Sequence, residues 1–220
     1  MKKVLFLLIM FFCFVIAGYK CFFYFDSVEE KTEIDLHTNK VRLDNKDLLN
    51  IKEGDFILRR GFGFFSDFIS KSLNTGFIDV THAGIIVNKN GALHVIHSLS
   101  SDVSAVDGVQ IQLLSDFLRH SAPGKIMITR IKSEDALAGT KIAQMAGHYL
   151  DERIPFDHQG KFDDAKEFFC TELIWNILEQ DLNMVTLPTT YNERKKFFYS
   201  MEPLYNPAMF HIILNQYRKR

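Results

Sequence analysis

Apolar and polar residues alternate in short runs through the middle of the chain, with longer helical periods on either side. Helical spacing predicts helices over Phe64–Leu73, Ser133–Leu150 and Cys170–Leu182. Because the strand-like runs are grouped centrally and do not alternate with helices, the pattern predicts an α+β domain and not a βαβ repeat. The runs that predict β-strands, each bounded by turn residues, are Asp55–Arg59, Ala83–Asn88, Leu93–His97, Val109–Leu113 and Ile126–Ile131.

A different pattern occupies the N-terminal segment. The run from Val4 to Ala17 is apolar throughout and follows Lys2 and Lys3, which is the arrangement of a membrane-directing segment. Read on to Phe25, the run reaches about the 20 residues that span a bilayer. Residues 1–25 are therefore predicted to be either a cleaved signal peptide or a single-span anchor. Both interpretations export the bulk of the chain to the periplasm or cell envelope, and retention would anchor it in the inner membrane by residues 4–25.

The segments after this one divide by composition. Residues 26–50 are charged and weakly periodic, which predicts a tether. The strands and helices above fall within residues 51–187, which are predicted to form the folded domain. Residues 188–220 mix aromatic and basic side chains and are predicted to be a C-terminal extension, to which the sequence assigns no chemistry.

Composition narrows the function classes. With 47% apolar and 24% charged residues the chain is ordinary for a globular protein, which argues against disorder and against a multi-span membrane protein. The net charge of -1 gives no overall basic field, so no nucleic-acid partner is predicted. No Gly-rich phosphate loop follows a strand, and no cofactor is predicted. Cys13 and Cys21 lie in the N-terminal segment, which leaves Cys170 alone in the domain, without a disulfide partner.

A predicted hairpin brings two histidines together. Asn90-Gly91 between two strand-like runs favours a type I′ turn, because both central residues of that turn need positive φ. A two-residue loop places Gly84 opposite His97, and His82 then shares a face with His97. A three-residue loop would invert the parity and bring His94 to His82 instead. A lone histidine at a strand end is more often structural, but a histidine oriented by a second polar group can activate a nucleophile.

Cys170 stands where a nucleophile could be. It is predicted to begin an amphipathic helix, whose free N–H groups and dipole would stabilise a thiolate and lower the thiol pKa. The same N–H groups could hold an oxyanion. The competing interpretation is a buried core cysteine. A zinc site made by His82, His97 and Cys170 is a further alternative, although these residues lack the usual short ligand spacing.

These motifs resemble the permuted papain-fold amidases of the YiiX/YebB kind, which are circularly permuted relatives of the NlpC-type cell-wall peptidases. The resemblance covers roughly residues 51–180 and implies a permuted papain-like domain with a central antiparallel sheet and flanking helices. It implies Cys170 as nucleophile, His82 as general base and then acid, and a third polar residue on the next strand. Relatives often have glutamate there, where this chain has His97. The matching segments are Gly54-Asp55-Phe56-Ile57, Thr81-His82-Ala83-Gly84-Ile85, Gly108-Val109 and Phe169-Cys170-Thr171-Glu172-Leu173.

The resemblance implies a cysteine hydrolase that cleaves amide bonds through an acyl-thioester. The expected substrates are peptides or amino-acid conjugates of the cell envelope. Two alternatives stay open: a lipid acyl hydrolase or acyltransferase that uses the same Cys-His site, and a non-catalytic envelope binding module. In each case the N-terminal segment predicts the membrane as a partner.

Overall fold

A single antiparallel sheet forms the centre of the computed structural model, which describes residues 2–72, 78–162 and 166–217. All five strands predicted from the sequence are present, and a sixth comes from the C-terminal segment. The strand order across the sheet is β4-β3-β2-β1-β5-β6. The strands are β1 (Phe56–Arg59), β2 (His82–Lys89), β3 (Ala92–Leu99), β4 (Gly108–Leu113), β5 (Ile126–Ile131) and β6 (Phe210–Asn215).

Helices precede, interrupt and follow the strands, which confirms the predicted α+β class. The three predicted helices are present, although the third ends as a π-helical turn at Ile177–Asp181 and the predicted end of the first, at Leu73, lies outside the described residues. A 3-10 turn at Glu202–Tyr205 precedes the last strand. The helices are α1 (Lys2–Leu36), α2 (Asn45–Asn50), α3 (Gly63–Ser72), α4 (Leu114–Arg119), α5 (Ala138–Asp151), α6 (Cys170–Asn176) and α7 (Tyr191–Tyr199).

The β2–β3 hairpin has the predicted two-residue turn. Asn90 and Gly91 have φ values of 56° and 81°, as a type I′ turn requires. Lys89 pairs with Ala92 next to the turn, and the same register continues to Ile85 opposite Ile96. The parity that places His82 and His97 on one face is therefore confirmed.

Alternating side chains give the sheet two buried faces. One face, with Phe56, Ile85 and Ile96, packs in the same apolar cluster as α5, α6 and α7. The other face, with Ile57, Ile86 and Val95, packs against Phe117 and its neighbours in α4. The Cys170 helix therefore lies on the first face, whereas the His82 and His97 rings lie beside Phe117 on the second.

The C-terminal segment contributes to the same core. Strand β6 pairs with β5, and Phe210 is buried with its ring 5.7 Å from Phe56 and 6.1 Å from Trp175. Leu204 is also fully buried. Residues 188–217, predicted to be an extension, thus supply one strand and several core side chains.

The N-terminal segment is one continuous helix. Among the described residues, α1 alone is long and apolar enough to cross a membrane. It continues beyond the apolar run into the segment predicted to be a tether. It packs against α3 where the two segments meet: the rings of Phe23 and Phe65 lie 5.6 Å apart. Asp26 is buried, and its Oδ1 accepts a hydrogen bond from the Phe65 N–H at 2.8 Å.

Replacing Phe210 tests whether the C-terminal segment belongs to the core. Because a buried ring between Phe56 and Trp175 would be lost, we expect Phe210→Ala to lower the free energy of unfolding by about 3–5 kcal/mol. Urea unfolding in detergent micelles measures the change, with Ile212→Ala on the same strand as the exposed control. Equal stabilities of the two variants would contradict this packing.

Candidate active site

The two histidines of the hairpin form a buried hydrogen-bonded pair. His82 Nε2 and His97 Nδ1 are 2.9 Å apart, so one nitrogen donates and the other accepts. His97 is fully buried, and its Nε2 has no hydrogen-bond partner among the residues that the structure describes. Gly84 makes the close approach possible, because a Cβ there would lie 2.4 Å from Val95 Cγ1 and 3.2 Å from His97 Cβ.

Both imidazoles are neutral at physiological pH. Burial is the main cause that lowers the pKa of His97 to about 3. Electrostatic interactions with Arg59 and His120 lower it further. Burial lowers the pKa of His82 well below 6.5, and His97 and Arg59 lower it further. A neutral imidazole has one free lone pair, so this pair can accept a proton but does not supply a fixed charge.

Cys170 is the first residue of α6, as predicted. The backbone N–H groups of Ala83 and Thr171 lie near its sulfur, and these groups and the Arg59 charge lower the thiol pKa. Burial outweighs both effects and raises the thiol pKa to about 11. The expectation of a lowered pKa was therefore wrong for the unliganded protein, because desolvation exceeds the effect of the helix N-terminus.

Arg59 is a site residue that sequence reasoning missed. It lies directly opposite His82 in the β1–β2 ladder, and its guanidinium stacks 4.8 Å from the Phe117 ring centre. It also donates a hydrogen bond to the His120 carbonyl. Burial lowers the Arg59 pKa to about 10, which leaves it charged at neutral pH. The sequence pointed to Arg59 only weakly, because its position beside His82 depends on the pairing of β1 with β2.

Cys170 and His82 line the same cavity, of about 390 Å³. The sulfur lies near the N–H of Ala83 at the start of β2, and the imidazole of His82 lies at the same end of that strand on the other face, so the two groups reach one cavity from the two faces of the sheet. The walls are mostly apolar and aromatic, and include Phe65, Phe68, Ile69, Val80, Leu99, Val103, Phe156, Phe169, Phe198, Tyr199 and Met201.

Helix α7 holds the Cys170 helix in place. The Thr171 hydroxyl donates to the Phe198 carbonyl, and Trp175 Nε1 donates to the Phe197 carbonyl at 2.7 Å. Tyr199 and Met201 continue from α7 into the cavity wall. The C-terminal segment therefore both positions the cysteine and encloses it.

The zinc alternative finds no support in the side-chain arrangement. Catalytic zinc requires three protein ligands around one point. Within residues 2–72, 78–162 and 166–217 no group of three or more His, Cys, Asp or Glu side chains is arranged to hold a metal ion. We derive no chemistry through a metal.

The buried imidazole of His97 makes stability depend on pH. Below its ordinary pKa of 6.5 the unfolded chain binds a proton that folded His97 excludes. The free energy of unfolding should therefore fall as pH drops from 6.5, by up to about 1.4 kcal/mol per pH unit for one histidine. We expect His97→Gln to reduce this slope, measured by urea unfolding between pH 5 and 7. His94→Gln, on the opposite face of the strand, should keep the wild-type slope; equal slopes for both variants would contradict the assignment.

Comparison with known proteins identifies the family of the chain. The model of the family described as permuted papain-like amidase enzyme, YaeF/YiiX, C92 family, matches residues 50–203. The chain also resembles the crystal structure of the metalloprotein YiiX from Escherichia coli O157:H7, with a TM-score of 0.57 and 18% identity. That match covers 76% of this chain and 98% of the YiiX chain, and at such low identity it shows the fold alone. No curated protein matches the chain.

The matched region includes the residues of the candidate site, which are Arg59, His82, Ala83, His97, Cys170 and Thr171. The resemblance to the YiiX kind is thus confirmed over most of the chain. This protein belongs to the permuted papain-like amidase family, and is a hydrolase of the amidase type.

Proposed function

We propose that the protein hydrolyses amide bonds through a thioester on Cys170, with His82 moving the proton and His97 orienting His82. The observation that carries the proposal is the buried His82–His97 hydrogen bond beside a sulfur that contacts the Ala83 N–H. A nucleophile, a base and a group that orients the base are the parts that acyl transfer needs.

The proposed role of His82 as the base determines where the protons of the histidine pair lie. His82 Nε2 is engaged by His97, so Nδ1 is the nitrogen that accepts the proton of Cys170. Nε2 then carries a hydrogen and donates it to His97 Nδ1. His97 in turn carries its own hydrogen on Nε2. His97 fixes the tautomer and the ring orientation of His82, and it does so without a negative charge.

The resting pair is a neutral thiol and a neutral imidazole. Because burial raises the pKa of Cys170 to about 11 and lowers that of His82, ion-pair formation waits for the substrate. Proton transfer then accompanies attack on the carbonyl. The Arg59 charge and the N–H groups at the start of α6 favour the developing negative charge, first on sulfur and then on the carbonyl oxygen.

The expected substrates are peptides or amino-acid conjugates of the cell envelope. Helix α1 would anchor the enzyme in the inner membrane through residues 4–25, with the domain on the exported side.

Covalent labelling tests the thioester. The reference is the double variant Cys13→Ser/Cys21→Ser, in which Cys170 is the remaining thiol. We expect p-nitrophenyl acetate to add one acetyl group to Cys170, removable by neutral hydroxylamine and detected by intact mass. Adding Cys170→Ala should abolish both the label and all turnover. Unchanged turnover in Cys170→Ala would contradict the proposal, and absence of label and turnover in the reference would favour a binding module.

The pH profile tests the role of His82. Because His82 must be neutral to accept a proton and its pKa lies well below 6.5, kcat/KM should fall only well below pH 6.5. Arg59→Met removes a positive charge that helps to lower this pKa, so the acid limb should move upward. Circular dichroism checks that the variant folds. A wild-type acid limb at or above pH 6.5 would contradict a buried neutral base.

A further inference from the structure

The cavity around Cys170 adjoins a second one of different character. The second cavity is about 300 Å³, and Cys170 does not line it. The residues that it shares with the first are Phe65, Ile69, Thr81, His82, Leu99 and Val103. Its lining includes the charged side chains of Asp26, Glu30 and Arg59. The site therefore has an apolar arm that contains the sulfur and a polar arm that does not, and His82 lies where the two arms meet.

The apolar arm is poorly suited to an anionic peptide. None of the described residues that line it is Lys or Arg, and Asp157 adds a carboxylate. Carboxylates of a stem peptide would lose hydration there without gaining a cationic partner. Aromatic and aliphatic walls within a volume typical of small-molecule sites favour an apolar chain.

The two arms fit the two products of amide cleavage, the acyl group and the amine. The acyl group stays on Cys170 after the carbon–nitrogen bond breaks, so it occupies the apolar arm. The leaving amine takes its proton from His82, at the entrance of the polar arm. There the charges of Asp26, Glu30 and Arg59 suit an amino-acid-like headgroup.

Helix α3 links the apolar arm to the membrane-directing helix. From Val4 to Phe23, α1 extends roughly 28 Å at about 1.5 Å per residue, close to the thickness of the hydrocarbon core. Phe23 and Asp26 are the residues that contact Phe65 of α3. The α3 wall of the cavity therefore lies at the level where α1 would leave the bilayer.

Apolar side chains are exposed at this level. Phe64 and Phe68 of α3 are 48% and 58% exposed, and Phe68 also lines the apolar arm. The β3–β4 loop meets α1 nearby, where the Tyr19 hydroxyl donates to Asp102, and exposes Val106. Exposed phenylalanine side chains on one helix are typical of a surface that enters the membrane interface.

From this placement we propose that the substrate is a membrane lipid with an amide-linked long acyl chain and an amino-acid-like headgroup. This inference rests on the proposed cysteine amidase activity. The Cys170 thiol attacks the amide carbonyl, its proton passes through His82 to the departing nitrogen, and a thioester with the free amine results. Water then attacks the thioester, its proton returns through His82 to the sulfur, and a fatty acid leaves.

The experiment compares chain length in the full protein reconstituted in phosphatidylcholine vesicles. The probes are N-palmitoylglycine, N-acetylglycine and the stem peptide L-Ala-γ-D-Glu-diaminopimelate. We expect kcat/KM for the palmitoyl compound to exceed that for the acetyl compound by at least about a hundredfold, since each buried methylene adds to binding. Preference for the acetyl compound or the stem peptide would overturn the inference while leaving the cysteine mechanism in place. No turnover of any probe and no acetyl label on Cys170 would overturn both.

A charged side chain in the wall provides the matched test. Phe68→Glu should lower the ratio of palmitoyl to acetyl kcat/KM by at least about tenfold, because a carboxylate replaces part of the chain-binding surface. Leu137→Glu, exposed and outside the cavity, should leave that ratio unchanged. An unchanged ratio in Phe68→Glu would mean that the acyl chain of the substrate binds elsewhere.

A comparison of vesicles with detergent tests the bilayer as the source of the substrate. Equal rates from vesicles and from a monomeric solution of substrate with detergent-solubilised enzyme would overturn that part of the inference.

Discussion

Desolvation of the site is the constraint on which the remaining features depend. The thiol and both imidazoles are removed from water, so each is held in its neutral form. In the proposed mechanism His97 orients the neutral imidazole of His82 through a hydrogen bond and without a charge. An ionised glutamate at position 97 would add a negative charge, but it would also carry the larger desolvation cost of a buried charge.

Arg59 is the fixed charge beside the site, and its sign is positive. It is a buried cation on the strand beside His82, and its field opposes protonation of the histidines while favouring a negative charge on Cys170. In a proton transfer from Cys170 to His82 the two effects oppose each other, because the field stabilises the anion but makes His82 a weaker base. The field therefore favours the anion formed by attack and keeps His82 unprotonated at neutral pH.

Local chemistry explains which parts of the site could be predicted. The Asn90-Gly91 turn fixes the register of the hairpin, so the pairing of His82 with His97 followed from residues close in sequence. The position of Cys170 at a helix start was also a local property. The pairing of β1 with β2 puts Arg59 opposite His82. It joins segments distant in sequence, and no turn motif predicts it. The raised pKa of Cys170 depends on burial by elements from the whole chain, and so helix position alone predicted the wrong direction.

The N-terminal helix joins the chemistry of the site to its location. Asp26 and Glu30 lie beyond the apolar run of α1 and line the polar arm beside His82, while Glu30 Oε1 accepts a hydrogen bond from His120 Nδ1 at 3.0 Å. Cleavage after Ala17 would leave these side chains, and the contact of Phe23 with Phe65, in the mature protein. The catalytic residues would then be complete in either form. Cleavage would remove the apolar span of α1, which in the proposal sets the α3 wall against the bilayer, so retention of α1 would govern access to a membrane substrate and not the reaction itself.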